Sequence, residues 1–186
     1  MKNSSDKSKP TKIPRALQAR FAKVKLFLCD VDGIMTDSSV FIGLTEEIKR
    51  FHIRDGLGLV MLREQGIKVG WVSKRPSQAT SRRAEELKID FLVQNKGSKV
   101  TAAEELLAKT GFAWSDICYV GDDVVDLGVM RRVLVAATVA DAVDEAKAAA
   151  HFVSRFDGGR GGVREIVEMI LKAQNKWQNV VAQYSA

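Results

Sequence analysis

No run of 18 or more apolar residues occurs in this 186-residue chain, so no segment reads as a membrane-spanning helix. The first 20 residues lack the apolar centre of a secretory leader, and a cleaved signal is not expected. Cysteine is scarce: Cys29 and Cys118 are the only two, each inside an apolar stretch. That pattern fits buried free thiols in a reducing cytoplasm better than a disulfide framework. There is no internal repeat and no linker-like stretch that would divide the chain. Gly56-Leu57-Gly58 lacks the third glycine of a dinucleotide fingerprint, and Gly97-Ser98-Lys99 lacks the upstream glycine of a P-loop. Two common phosphate-binding devices are thereby excluded.

The net charge of +6 is a property of one end. Residues 1–25 carry eight Lys or Arg against the single acid Asp6, and the rest of the chain holds 21 basic and 22 acidic residues. Residues 1–12 are expected to be a solvated, disordered basic arm. The remainder offers no basic face of the kind nucleic acid needs, so neither nucleic acid nor a membrane is an expected partner. With 46% hydrophobic and 28% charged residues, residues 13–186 read as one globular domain with an ordinary core.

Within it, short apolar runs alternate with helical patterns. Strands are expected at 24–29, 67–72, 90–93, 117–120, 133–136 and 151–153. Helices are expected at 14–23, 56–65, 76–88, 98–109, 124–131, 142–149 and 163–178, with a β-hairpin at about 38–54. Such alternation implies crossover connections and an α/β fold, a Rossmann-like doubly wound parallel sheet with helices on both faces. Ligands of these sheets bind at the carboxyl ends of the strands, near the point where strand order reverses.

Polar residues collect at those ends. Asp30-Val31-Asp32-Gly33-Ile34 closes the first apolar run, and Gly121-Asp122-Asp123 closes another. Buried strands ending in paired acids need a compensating charge, and a divalent cation supplies it. Ser73 follows Val69-Gly70-Trp71-Val72, and Lys99 opens a helix.

Asp30 to Ile34 with Thr36, then Ser73, then Lys99, then Gly121 to Asp126 resemble, in order, the four motifs of the haloacid dehalogenase superfamily of phosphotransferases. The resemblance implies that Asp30 attacks phosphorus to give an aspartyl-phosphate and that Asp32 serves as general acid and then base. It implies Mg²⁺ held by Asp30, the Asp32 backbone carbonyl and Asp122. Ser73 and Lys99 would hold the phosphoryl group, and Asp123 and Asp126 would orient metal waters and Lys99.

Between Asp37 and Arg54 there is room for a hairpin but not for a cap domain, and between Ser73 and Lys99 only for one helix and one strand. The chain therefore looks like a capless member. Ile48 to Gly58, Ser73 to Ser77 with Arg83 and Leu87, Gln94 to Lys99, and Gly158 to Glu165 are similar to the 3-deoxy-D-manno-octulosonate 8-phosphate phosphatase family, over about residues 15–172. That likeness implies a cytoplasmic, Mg²⁺-dependent homotetramer of lipopolysaccharide biosynthesis, in which hairpins pack together and shape one another's sites. Lys74, Arg75, His52 and Asp55 become candidates for contact with an anionic sugar-phosphate substrate. Gly158 to Gly162, with Arg160 and Arg164, become a loop over the site, and Trp177 reads as a packing anchor.

Several positions depart from the family pattern. Lys74, Ser38, Thr45 and Asn95 stand where glycine is usual, and Ser98 where aspartate is common. A phosphatase for a nonulosonate 9-phosphate or another small sugar phosphate is the nearest alternative. A nucleic-acid 3′-phosphatase using the basic arm conflicts with the neutral remainder. A non-catalytic oligomeric binding module would have no reason to keep Asp30, Asp32, Lys99 and Asp122 together.

Overall fold

The computed structural model describes residues 13–44 and 46–186; the basic arm at 1–12 and Thr45 lie outside the described residues. Helix α1 (Arg15–Phe21) leads into β1 (Leu26–Cys29), then a hairpin of β2 (Phe41–Ile42) and β3 (Glu47–Ile48). Helix α2 (Ile53–Glu64), β4 (Lys68–Ser73), α3 (Gln78–Glu86), β5 (Phe91–Gln94) and α4 (Lys99–Thr110) follow. The chain continues through β6 (Ile117–Val120), α5 (Leu127–Met130), β7 (Val135–Thr138), α6 (Asp144–Ala149), β8 (Phe152–Val153), α7 (Gly162–Ala173) and α8 (Trp177–Tyr184).

Six strands form one parallel sheet in the order β5-β4-β1-β6-β7-β8. Strands β1 and β6 are buried along their whole length, which is why their sequences are continuously apolar rather than alternating. Helices cover both faces: α2 packs on α7 and β4, and α1 on α7, while α4 packs on β4 and α5, and α5 on α6. The hairpin forms its own two-stranded sheet beside α3, and no cap domain is present among the described residues. No helix there is long and apolar enough to cross a membrane. Cys29 and Cys118 are free, fully buried core thiols.

Several elements differ from the sequence expectation, three of them for a visible reason. The hairpin strands are two residues each, and Ile53 opens α2 instead of extending the hairpin. The chain has already turned inward there, because Phe51 stacks on Trp71 with ring centroids 6.2 Å apart. Strand β7 begins two residues later than expected, because Leu134 still donates its N–H to the Trp114 carbonyl outside the ladder. The last helix is broken in two. Asn175 sits at φ 57, and Lys176 N–H bonds back to the Leu171 carbonyl, a left-handed cap that asparagine tolerates.

The loop after β8 is fitted tightly to the loop after β1. A Cβ built on Gly158 would lie 1.7 Å from the Gly33 carbonyl oxygen, and Gly159 N–H donates to the Ile34 carbonyl at 2.9 Å. Gly158→Ala is therefore expected to displace one loop from the other, lowering stability by about 2–4 kcal/mol and cutting activity at least tenfold. Thermal melts beside initial rates on the variant measure both.

Candidate active site at the switch point of the sheet

Read along the chain, the parallel strands run in the order 3-2-1-4-5-6, and direction reverses between β1 and β6. Crossovers leave on opposite sides there, opening a crevice at the carboxyl ends. Cys29 pairs with both Trp71 and Val120, so Asp30, Ser73 and Gly121-Asp122 emerge side by side from three neighbouring strands.

Asp30 is buried. Its own Oδ1 accepts the Val31 N–H at 2.7 Å, and Oδ2 lies 2.7 Å from Lys99 Nζ. The lysine side chain is 1% exposed and also donates to Asp126 Oδ1 at 2.6 Å. Asp126 in turn accepts from the Tyr119 hydroxyl at 2.5 Å and from the N–H groups of Asp122 and Asp123. Lys99 is thus gripped by two carboxylates, one on each side of the switch point.

The acids crowd. Asp30, Asp122 and Asp126 each place an oxygen within 4.8 Å of the others. Burial raises the Asp30 pKa to about 6 against the opposing pull of Lys99. Burial, then the charge of Asp30, raises that of Asp122 to about 7. Burial works against the charge of Lys99, yet Asp30 and Asp126 outweigh it and raise its pKa. Both Asp126 oxygens are taken, whereas Asp122 Oδ1 is buried with no hydrogen-bond partner. An orphaned carboxylate oxygen beside a second acid is a donor set suited to a hard cation. Asp30 and Asp122 would hold it from their side chains and Asp32 from its backbone carbonyl.

Gly33 makes this approach possible. It stands at φ 91, and a Cβ there would meet Asp122 Oδ2 at 2.0 Å. Its N–H is held by Thr36 Oγ1 at 3.4 Å. Ser73, buried at the end of β4, accepts the Arg75 N–H at 3.1 Å, so its hydroxyl is fixed at the mouth of the next loop.

Other residues singled out from sequence land differently. Asp123 is exposed and caps the turn it begins: its carboxylate accepts the Val124 N–H at 2.6 Å, and its backbone N–H donates to Asp126 Oδ2 at 3.3 Å. Asp55 is corrected as a substrate contact: it is fully buried, and its two oxygens accept the N–H groups of Gly161 and Arg164. It anchors the glycine loop instead. His52, 3.3 Å from Asp55, lines an open cleft of about 540 Å³ with Arg160 and Arg164, and none of the four motif groups lines that cleft. Arg75 and Lys74 are exposed at the crevice, and Arg75 pairs with Glu47.

Three of the departures are accommodated. Lys74 does not need a positive φ, so no backbone freedom is lost by the missing glycine. Ser98 caps α4 through the N–H groups of Val100 and Thr101, which an aspartate would do equally well. Asn95 accepts the Gly97 N–H. Ser38 stands at φ 62, a strained position for a residue other than glycine. One site residue escaped the sequence reading. Lys49, from the hairpin, is buried with its Nζ 2.7 Å from Asp32 Oδ1. Its signal was its place directly after Glu47 and Ile48, where the alternation of the hairpin turns a side chain inward.

A parallel sheet with this strand order, two acids closing β1, a buried lysine and an acid pair beyond β6 defines a haloacid dehalogenase-like hydrolase. The model of that family matches residues 89–166. The chain is 40% identical over 158 residues to the 3-deoxy-D-manno-octulosonate 8-phosphate phosphatase of Yersinia pestis, covering 84% of each. It is 36% identical to the Escherichia coli K12 protein of the same name, covering 85% of each. The crystal structure of the Moraxella catarrhalis phosphatase in complex with magnesium ion, phosphate ion and KDO superposes with a TM-score of 0.89 at 34% identity, over 92% of this chain and 99% of that one. The chain belongs to the family of 3-deoxy-D-manno-octulosonate 8-phosphate phosphatases.

Proposed function

We propose that this chain is a Mg²⁺-dependent phosphomonoesterase that converts 3-deoxy-D-manno-octulosonate 8-phosphate to the free sugar acid and inorganic phosphate. The observation that carries the reading is the Asp30–Lys99–Asp126 triad, with the orphaned Asp122 oxygen, at the switch point of the sheet. An Asp30 oxygen attacks phosphorus, and the bond to the sugar oxygen breaks as Asp32 delivers a proton to it. Water then attacks the phosphorus of the aspartyl-phosphate, giving its proton to Asp32, and phosphate leaves as Asp30 is regenerated. Lys99 and the Ser73 hydroxyl bind the transferred group. Bound Mg²⁺ supplies positive charge that lets carboxylate and phosphate approach. Arg75 and Lys74, exposed just beyond Ser73, are the residues we assign to the sugar acid's carboxylate. Acid quench during turnover, followed by borohydride reduction, is expected to convert residue 30 to homoserine; unmodified Asp30 under steady turnover contradicts the covalent route.

The raised carboxylates give the cation a pH signature. Groups whose pKa is higher folded than unfolded add stability that is complete below the unfolded value, near 4, and is lost as pH rises through about 6 and 7. Metal-free protein is thus expected to lose stability between about pH 5 and about pH 8. Mg²⁺ binds the ionised pair, so the melting temperature it adds should grow over the same interval. Melts with Mg²⁺ and with a chelator measure the difference.

The assembly is proposed to be a homotetramer in the cytoplasm. Ile42 is 86% exposed and Leu44 fully so, with Phe41 and Ile48 also outward on the hairpin, an apolar tip that favours burial against other copies. Sedimentation is expected to give four times the chain mass, and Ile42→Lys with Leu44→Lys to shift the protein to smaller species.

A further inference from the structure

The hairpin reaches the chemistry as well as the surface. Residues 47 to 49 alternate: Ile48 faces outward, while Glu47 and Lys49 turn toward α3. The Lys49 side chain is 0% exposed. Its Nζ lies 2.7 Å from Asp32 Oδ1, donates to Thr80 Oγ1 at 3.2 Å and is 3.6 Å from Glu47 Oε1. Buried ammonium groups are costly unless fully partnered, and this one has partners from three elements. Being inaccessible, it cannot touch a substrate. Asp32 itself is partly exposed and faces the crevice. Glu47 extends the connection, accepting from Ser77 Oγ at 2.8 Å and pairing with Arg75, both in the loop that Ser73 begins.

We infer that Lys49 is a positioning residue: through its ion pair it fixes the direction of the Asp32 carboxylate, and through Glu47 it ties that carboxylate to the loop carrying Ser73. The inference rests on Asp32 being the acid that protonates the leaving oxygen. A carboxylate free to rotate would still be present but would miss that oxygen, and displacements of about 1 Å at such a group can cost on the order of 10²-fold in rate. The loss must then depend on how much the leaving group needs a proton. A sugar alkoxide needs it; p-nitrophenolate does not.

The test compares kcat/KM, which covers steps through leaving-group departure, for the sugar phosphate and for p-nitrophenyl phosphate. Lys49→Met is expected to lower the first on the order of 10²-fold and the second less than about threefold. Asp32→Asn should show the same asymmetry, and the double variant should lose little beyond Asp32→Asn alone, as groups acting in one unit do. Equal losses on both substrates, or additive losses, overturn the role of Lys49. If Asp32→Asn itself lacks the asymmetry, the assignment of Asp32 fails instead. Should Lys49→Met not fold, Glu47→Gln, which loosens the ammonium without removing it, is expected to give a smaller loss with the same asymmetry; a symmetric loss there overturns the proposal.

Discussion

Asp30→Asn is expected to abolish phosphate release, a loss on the order of 10⁴-fold or more, in a protein that folds as well as the parent. The substitution is isosteric. The amide oxygen can keep the 2.7 Å bond from the Val31 N–H, and Lys99 keeps Asp126 at 2.6 Å. What disappears is a buried negative charge whose pKa is already raised to about 6 by burial and whose field raises that of Asp122. Metal-free variant should therefore melt no lower than metal-free parent near neutral pH, while gaining less from Mg²⁺. Initial rates and paired melts check the two halves separately. Retention of more than a few per cent of the parent rate would remove Asp30 as the nucleophile.

Lys99→Met should damage both folding and activity. Its ammonium lies between Asp30 and Asp126, at 2.7 and 2.6 Å, in a pocket where the lysine side chain is 1% exposed. Removing one member of a buried ionic cluster leaves the others uncompensated and typically costs about 3–5 kcal/mol. Because Asp30 can protonate with a pKa of about 6, the deficit should be smaller at about pH 5 than at about pH 8. Denaturant unfolding at the two pH values measures that difference. Activity should fall a further 10²- to 10³-fold or so, the usual scale for losing a charge that meets the transferred group. A variant as stable as the parent at both pH values would mean the lysine is not the clamp that the geometry describes.

What could be read from the sequence follows from where each residue sits. Asp30 and Asp122 were legible because each closes a strand buried on both faces, so an apolar run ends abruptly in acid. The parallel sheet and the two-sided helix cover followed from the same alternation. The hairpin's apolar tip was visible as composition, but its short strands were not, because Phe51 is drawn onto Trp71 by a contact no local pattern encodes. Asp55 looked like a group near substrate; only the folded chain shows its two oxygens spent on the N–H groups of Gly161 and Arg164, far along the sequence. Lys49 was passed over for the reverse reason. A lysine just past a two-residue strand reads as solvated, and its burial against Asp32 and Thr80 depends on how the hairpin lies on α3. The break at Asn175 was hidden because apolar spacing continues across it, while a single left-handed residue redirects the chain.

Phosphate release from 3-deoxy-D-manno-octulosonate 8-phosphate, with Mg²⁺ and with a chelator, beside a nonulosonate 9-phosphate and a simple aryl phosphate, tests the account most directly. The expected result is strong preference for the eight-carbon acid, lost without Mg²⁺ and lost in Asp30→Asn. Comparable or faster turnover of the nine-carbon acid would contradict the substrate assignment, and no turnover of any ester by Mg²⁺-loaded protein would contradict the phosphatase itself.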